Sequence, residues 1–250
     1  MVSRMLKKIN GLDINYISYG KKGSKEIVLL HGWGQNIEMM RPVGDNLEKD
    51  YHITIIDLPG FGGSEEPKYV WKIFDYVEML HQLFGELGIK KPILMGHSFG
   101  GKISLLYASK YPVEKLVLFA SPFRPGLKKI PLKTKILKML KKLPGMNHIA
   151  EKAKKHIGSV DYRNASPLLR AIMVDHVNLD ITEEIKKINV PAILIWGDKD
   201  LAVPIDEAYI LESLLDDAAV ILYEGCTHYA YLERLNQTIN VLNSFIGDDK

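Results

Sequence analysis

Seven short apolar runs constrain this chain more than any other feature: DINYISY (13–19), EIVLLHG (26–32), HITIIDL (52–58), KPILMGH (91–97), EKLVLFA (114–120), PAILIWG (191–197) and AVILYEG (219–225). Several are apolar at consecutive positions rather than alternate ones. A strand of that kind is buried on both faces, as in a parallel sheet covered by helices. Between the runs lie helical patterns near 71–88, 100–110, 205–215 and 230–246. This alternation predicts a doubly wound α/β fold with a mostly parallel sheet and helices on both faces. Met5–Asn10 and Asp13–Tyr19, separated by Gly11 and Leu12, predict an antiparallel hairpin ahead of it.

One region interrupts the alternation. Residues 122–189 contain helical patterns bounded by prolines and glycines but no convincing strand. The division expected is therefore an α/β core of residues 1–121 and 190–250 with a helical lid inserted at 122–189. The insert carries 15 Lys and Arg against 6 Asp and Glu, although the whole chain of 250 residues has a net charge of only +3. That average gives no reason to expect nucleic acid as a partner. A single cysteine, Cys226, excludes an internal disulfide and a cysteine-rich zinc site. The start has no apolar stretch of signal-peptide length, and no run approaches the roughly 20 residues that span a bilayer. A cytoplasmic location is the expectation.

The stretch ILMGHSFGGKIS (93–104) carries the chemistry. A serine between glycines, directly after an apolar strand, fits two loops. One is a phosphate loop, G-x-x-x-x-G-K-[ST], but Ile103 stands where the last hydroxyl should meet a metal. The other is the nucleophile elbow G-x-S-x-G, read as Gly96-His97-Ser98-Phe99-Gly100, which needs a strand before it and a helix after it. A serine hydroxyl also needs a histidine base oriented by a carboxylate. In the elbow's fold the chain order is serine, acid, histidine, each of the latter after a late strand. Asp200 in PAILIWGDKDLAVP and His228 in AVILYEGCTHYAYLE occupy those places. An oxyanion hole would take one N–H from Phe99, after the nucleophile, and one from Trp33 in the early loop LLHGWGQN.

Together HGWG (31–34), DLPGFGGS (57–64), GHSFGG (96–101), GDKD (197–200) and the final His228 resemble the α/β-hydrolase superfamily. The chain is most similar to its small lid-bearing serine carboxylesterases, including pimeloyl-acyl-carrier-protein methyl ester esterases. The resemblance covers nearly the whole chain and implies a Ser98–His228–Asp200 triad cleaving esters of small to medium acyl chains, without metal or organic cofactor. Thioesters, monoglycerides and C–C bonds are alternative targets of such a triad, and a non-catalytic ligand receptor is an alternative use of the fold. The family's G-x-x-D pattern selects Asp200 over Asp198, which is expected to cap the turn. Thr227 stands where the family usually has glycine. His97, His31 and Asp57 are expected to be structural, and Cys226 a buried small residue.

Within the insert, IPLKTKILKMLKKLPG (130–145) reads as an amphipathic helix with Leu132, Ile136, Met139, Leu140 and Leu143 on one face. Its lysines, Lys135, Lys138, Lys141 and Lys142 among them, lie mostly opposite. They would face water, or dock an acidic acyl-carrier protein or an anionic lipid surface.

Overall fold

The computed structural model describes residues 3–126 and 165–247. The amphipathic helix expected at 130–145 lies outside the described residues. Among the described residues, eight strands form one sheet: β1 (Met5–Ile9), β2 (Leu12–Gly20), β3 (Glu26–Leu30), β4 (His52–Ile56), β5 (Ile93–His97), β6 (Lys115–Phe119), β7 (Ala192–Gly197) and β8 (Ala218–Tyr223). Their order is β1-β2-β4-β3-β5-β6-β7-β8. β2 runs antiparallel to both β1 and β4, and every other pairing is parallel. The hairpin between β1 and β2 turns on Asn10 and Gly11, both with positive φ.

The helices are α1 (Arg41–Leu47), α2 (Ile73–Leu87), α3 (Phe99–Ala108), α4 (Pro167–Asn178), α5 (Thr182–Ile185), α6 (Ile205–Leu214), α7 (Ala230–Glu233) and α8 (Leu235–Gly247). The two faces of the sheet carry separate cores. One joins alternate residues such as Val28, Leu30, Leu94 and Leu116 to the apolar sides of α2, α3 and α6. The other joins Ile27, Leu29, Ile55 and Met95 to α1 and α8. Burial on both sides accounts for the unbroken apolar runs: β5 and β6 are buried at all five positions. The edge strand β1 alternates instead, with Met5, Lys7 and Ile9 more buried than Leu6 and Lys8.

No strand occurs in the described part of the insert. Pro167 begins α4 behind Ser166, whose hydroxyl accepts the Leu169 N–H at 3.1 Å. Leu169, Ile172, Ile181, Ile185 and Ile188 join the core that covers α3. Among the described residues, no helix is long and apolar enough to cross a membrane.

Candidate active site

Ser98 sits between β5 and α3 with φ 50° and ψ −110°, outside the regions an ordinary residue adopts. The turn is tolerated because glycines stand at 96, 100 and 101, where a side chain would collide. A Cβ at Gly96 would come within 2.6 Å of the Gly100 carbonyl, and one at Gly100 within 2.5 Å of the Leu30 carbonyl. At Gly101 it would lie 1.7 Å from the Ser121 hydroxyl. The Ser98 N–H is tied to the Phe119 carbonyl of β6 at 2.9 Å. These contacts fix the path of the backbone and leave Ser98 half-buried at the C-terminal edge of the sheet, the usual place for ligands in such folds.

Asp200 and His228 come to that edge from the loops after β7 and β8. The Nδ1–H of His228 donates to Asp200 Oδ2 at 2.7 Å. The carboxylate is fully buried, and its other oxygen accepts the N–H groups of Ala202 at 2.7 Å and Val203 at 2.9 Å. A buried carboxylate with all these donors is fixed in position, and it in turn fixes the imidazole so that Nε2 is the free nitrogen. Asp198 faces elsewhere: it accepts the Gly225 N–H at 2.6 Å and pairs with Lys199. Its hydrogen bond from Lys199 holds its carboxyl below the usual range.

His97 braces the base. Buried beneath the elbow, it donates from Nε2 to the His228 carbonyl at 3.0 Å, and the two rings lie 4.7 Å apart. Burial, with the charge of His228 adding to it, pushes His97 down to about 3, so the ring stays neutral. The Thr227 substitution also has a partner. Glu233 at the end of α7 accepts the Thr227 N–H at 2.8 Å and the Thr227 hydroxyl. This pins the residue preceding His228, a role no local pattern in the sequence announced.

The early loop is held just as tightly. His31 Nδ1–H donates to the Gly32 carbonyl at 2.7 Å, and its Nε2 accepts the Leu58 N–H at 2.9 Å. Burial lowers His31 to about 4. Gln35 closes the turn from the other side, accepting the Gly32 N–H at 3.0 Å. Asp57 is buried and receives Asn15 Nδ2, the Ile37 N–H and the Gly63 N–H, each at 2.7 Å. Neither the Trp33 nor the Phe99 N–H donates to an acceptor among the described residues. The Trp33 ring packs edge-on against Phe61 and Phe99, with ring centres at 4.9 and 5.1 Å, and parallel to His176 of α4 at 6.3 Å. Cys226 is buried, with its thiol in weak contact with the Glu224 carbonyl and near the Glu233 carboxylate.

The strand order, the strained serine turn and the Asp–His pair agree with comparisons to known proteins. Residues 25–147 match the family model described as the alpha/beta hydrolase fold. The chain has the alpha/beta hydrolase fold. This hydrolase is 28% identical over 264 residues to Lipase 3 of Moraxella sp. (strain TA144), covering 97% of the chain and 84% of the lipase. It is 25% identical to the pimeloyl-[acyl-carrier protein] methyl ester esterase of Aliivibrio fischeri (strain ATCC 700601 / ES114), covering 89% and 93% of the two chains. Its fold is similar to that of a crystallised bromoperoxidase from Bacillus anthracis, with a TM-score of 0.79, 23% identity and coverage of 98% and 100%.

Proposed function

We propose that the hydrolase cleaves carboxylic esters of small to medium acyl chains, with Ser98 as nucleophile, His228 as base and Asp200 as the carboxylate that orients it. The observation that carries this reading is the 2.7 Å contact between His228 Nδ1 and the buried Asp200, at the same edge of the sheet as a serine on a strained strand-to-helix turn. The enzyme is a carboxylesterase-type hydrolase, in keeping with relatives named lipase and methyl ester esterase.

In this reading His228 Nε2 takes the hydroxyl proton as Ser98 Oγ attacks the ester carbon. The N–H groups of Trp33 and Phe99 receive the oxyanion, each worth roughly 10²–10³-fold in related chemistry. His228 returns the proton to the departing alcohol. Water, deprotonated by the same imidazole, then attacks the acyl-enzyme and releases the acid. Asp200 stays ionised throughout, stabilising the imidazolium. We assign residues 122–189 to the lid. Its excess of basic residues suits an ester presented on an acidic acyl-carrier protein or an anionic lipid surface.

Hydrolysis of p-nitrophenyl esters from acetate to laurate tests the proposal. Ser98→Ala should lower kcat/KM by roughly 10³-fold or more, and combining it with His228→Ala should cost little extra, since the residues act as a unit. Asp200→Asn should lower kcat by roughly 10³–10⁴-fold, because the imidazole loses its required tautomer. Undiminished turnover by Ser98→Ala would remove the serine from the mechanism. Charge reversal at Lys135, Lys138 and Lys142 should raise KM for a carrier-bound ester at low salt and leave the p-nitrophenyl esters unaffected.

A further inference from the structure

Gln35 stands where two loops of the site meet. It belongs to the loop after β3, and Tyr229 follows His228 on the loop after β8. Gln35 Nε2 donates to the Tyr229 hydroxyl at 3.3 Å, a hydrogen bond between residues 194 apart in the chain. The other end of the same amide grips the early loop, where Oε1 accepts the Gly32 N–H at 3.0 Å. A backbone N–H can only donate, so it fixes the amide with its oxygen toward Gly32 and its NH₂ toward Tyr229.

Both peptide planes that flank Gly32 are thereby set. The Gly32 carbonyl accepts His31 Nδ1–H at 2.7 Å and the backbone N–H of Gln35 at 3.2 Å. That carbonyl and the Trp33 N–H belong to one trans peptide and point opposite ways, so holding the first directs the second. On the other loop, the Tyr229 ring centre lies 5.6 Å from that of His228 and 5.3 Å from that of His97. Gln35 Oε1 also packs 3.2 Å from His97 Nδ1, which carries no proton while Nε2 donates to the His228 carbonyl. The packing is close: a Cβ at Gly32 would come within 2.7 Å of that nitrogen and 3.1 Å of Gln35 Oε1.

We propose that Gln35 is a positioning residue whose amide sets the oxyanion donor at Trp33 in register with the base at His228, an inference that rests on the Ser98–His228–Asp200 reading. Gln35 acts through Gly32 and Tyr229 rather than on the ester itself. Oxyanion donor and base must serve one tetrahedral centre bonded to Ser98. A link between their loops therefore bears on the transition state and little on the ground state.

The test is steady-state hydrolysis of p-nitrophenyl butyrate together with inhibition by n-butylboronic acid. Ser98 Oγ adds to the boron as its proton passes to His228, and the tetrahedral anion so formed needs donor and base in register. Gln35→Met keeps the length of the side chain and loses both hydrogen bonds. It should lower kcat by about 10- to 100-fold, the scale of a 1 Å displacement, with KM unchanged. Ki for the boronic acid should rise by a similar factor. Ki does not depend on how much of the protein is active, so partial unfolding could not produce that rise. Tyr229→Phe keeps the ring and loses the hydroxyl. It should lower kcat by about 3- to 10-fold, the loss of one hydrogen bond, and add nothing to Gln35→Met, in which the link is already broken. Wild-type kcat in Gln35→Met, a rise in KM alone, an unchanged Ki or multiplicative losses in the double variant would each overturn the inference. Ser98→Ala, measured alongside, keeps two failures apart. If it retains turnover, the triad reading falls and this inference with it; if it is inert while Gln35→Met is fully active, only the role of Gln35 falls.

Discussion

Thr227 and Glu233 show how far a single side chain reaches. The proposed base lies one residue beyond Thr227, and Glu233 holds both the N–H and the hydroxyl of Thr227. Burial works to raise the Glu233 carboxyl, yet the two bonds from Thr227 hold it below the usual range, so it is ionised wherever the enzyme works. Glu233→Ala frees the loop on one side while the His97 bond to the His228 carbonyl still holds the other. Displacing a reacting group by about 1 Å can cost 10²-fold in rate. Glu233→Ala should therefore lower kcat by about 10- to 100-fold with little change in KM. Thr227→Gly, which keeps the backbone bond, should cost less. Steady-state kinetics on one ester measure both, and a rise in KM alone would show that the loop shapes binding rather than chemistry.

At the scale of elements, α3 does two jobs. Its first residues shape the elbow, and Lys102 on its next turn reaches the end of α4. There Nζ donates to the carbonyls of His176 at 2.9 Å and Leu179 at 2.5 Å. A cation at a helix C-terminus satisfies carbonyls that the helix leaves open. Burial pushes this lysine down to about 8, and the negative charges of Asp180 and Asp175 offset that only in part. Lys102→Met keeps most of the packing volume and strands both carbonyls, so it should destabilise the fold by about 2–4 kcal/mol in urea unfolding. A loss below 0.5 kcal/mol, the usual range for surface changes, would mean that α4 is held by its apolar contacts alone.

Which elements the sequence discloses depends on the same distinction. The buried strands are legible because burial on both faces leaves no alternative to consecutive apolar residues, and the hairpin is legible from its glycine, although the turn falls on Asn10 and Gly11 rather than on Gly11 and Leu12. Helix α1 is not. RPVGDNL contains proline, glycine and two Asx residues, all poor helix formers, and it is helical because Val43 and Leu47 pack into the second core. Gly44 lets Tyr19, Ile53 and Ile55 come close, since a Cβ there would meet all three within 3.2 Å. Of the proposed site, Ser98, Asp200 and His228 are legible in the sequence because the elbow fixes the order of its partners along the chain. Asn15 on Asp57, His97 on the His228 carbonyl and Glu233 on Thr227 are not, because no periodicity records which side chain folding will bring beside them.

The whole molecule keeps several imidazoles away from water, and this sets its response to acid. Burial lowers His31 to about 4 and both His97 and His176 to about 3, with nearby positive charge a lesser contribution at the last two. In the unfolded chain each titrates near 6.5. Below pH 6.5 the unfolded chain therefore takes up three protons that the folded chain refuses, so stability falls as pH falls. It continues to fall until the folded histidines themselves titrate at about 4 and below. Three protons correspond to at most about 4 kcal/mol per pH unit, against a typical total of about 5–15 kcal/mol. Acid unfolding followed by far-UV circular dichroism should have its midpoint between about pH 4 and 6. His176 offers the cleanest substitution, since its Nδ1 has no hydrogen-bond partner to lose. His176→Phe preserves the aromatic contacts with Trp33 and Phe99 and removes one of the three refused protons. It should shift the midpoint to lower pH while leaving stability at pH 8 nearly unchanged. A midpoint unmoved by this substitution would place the origin of acid sensitivity in the carboxylates instead.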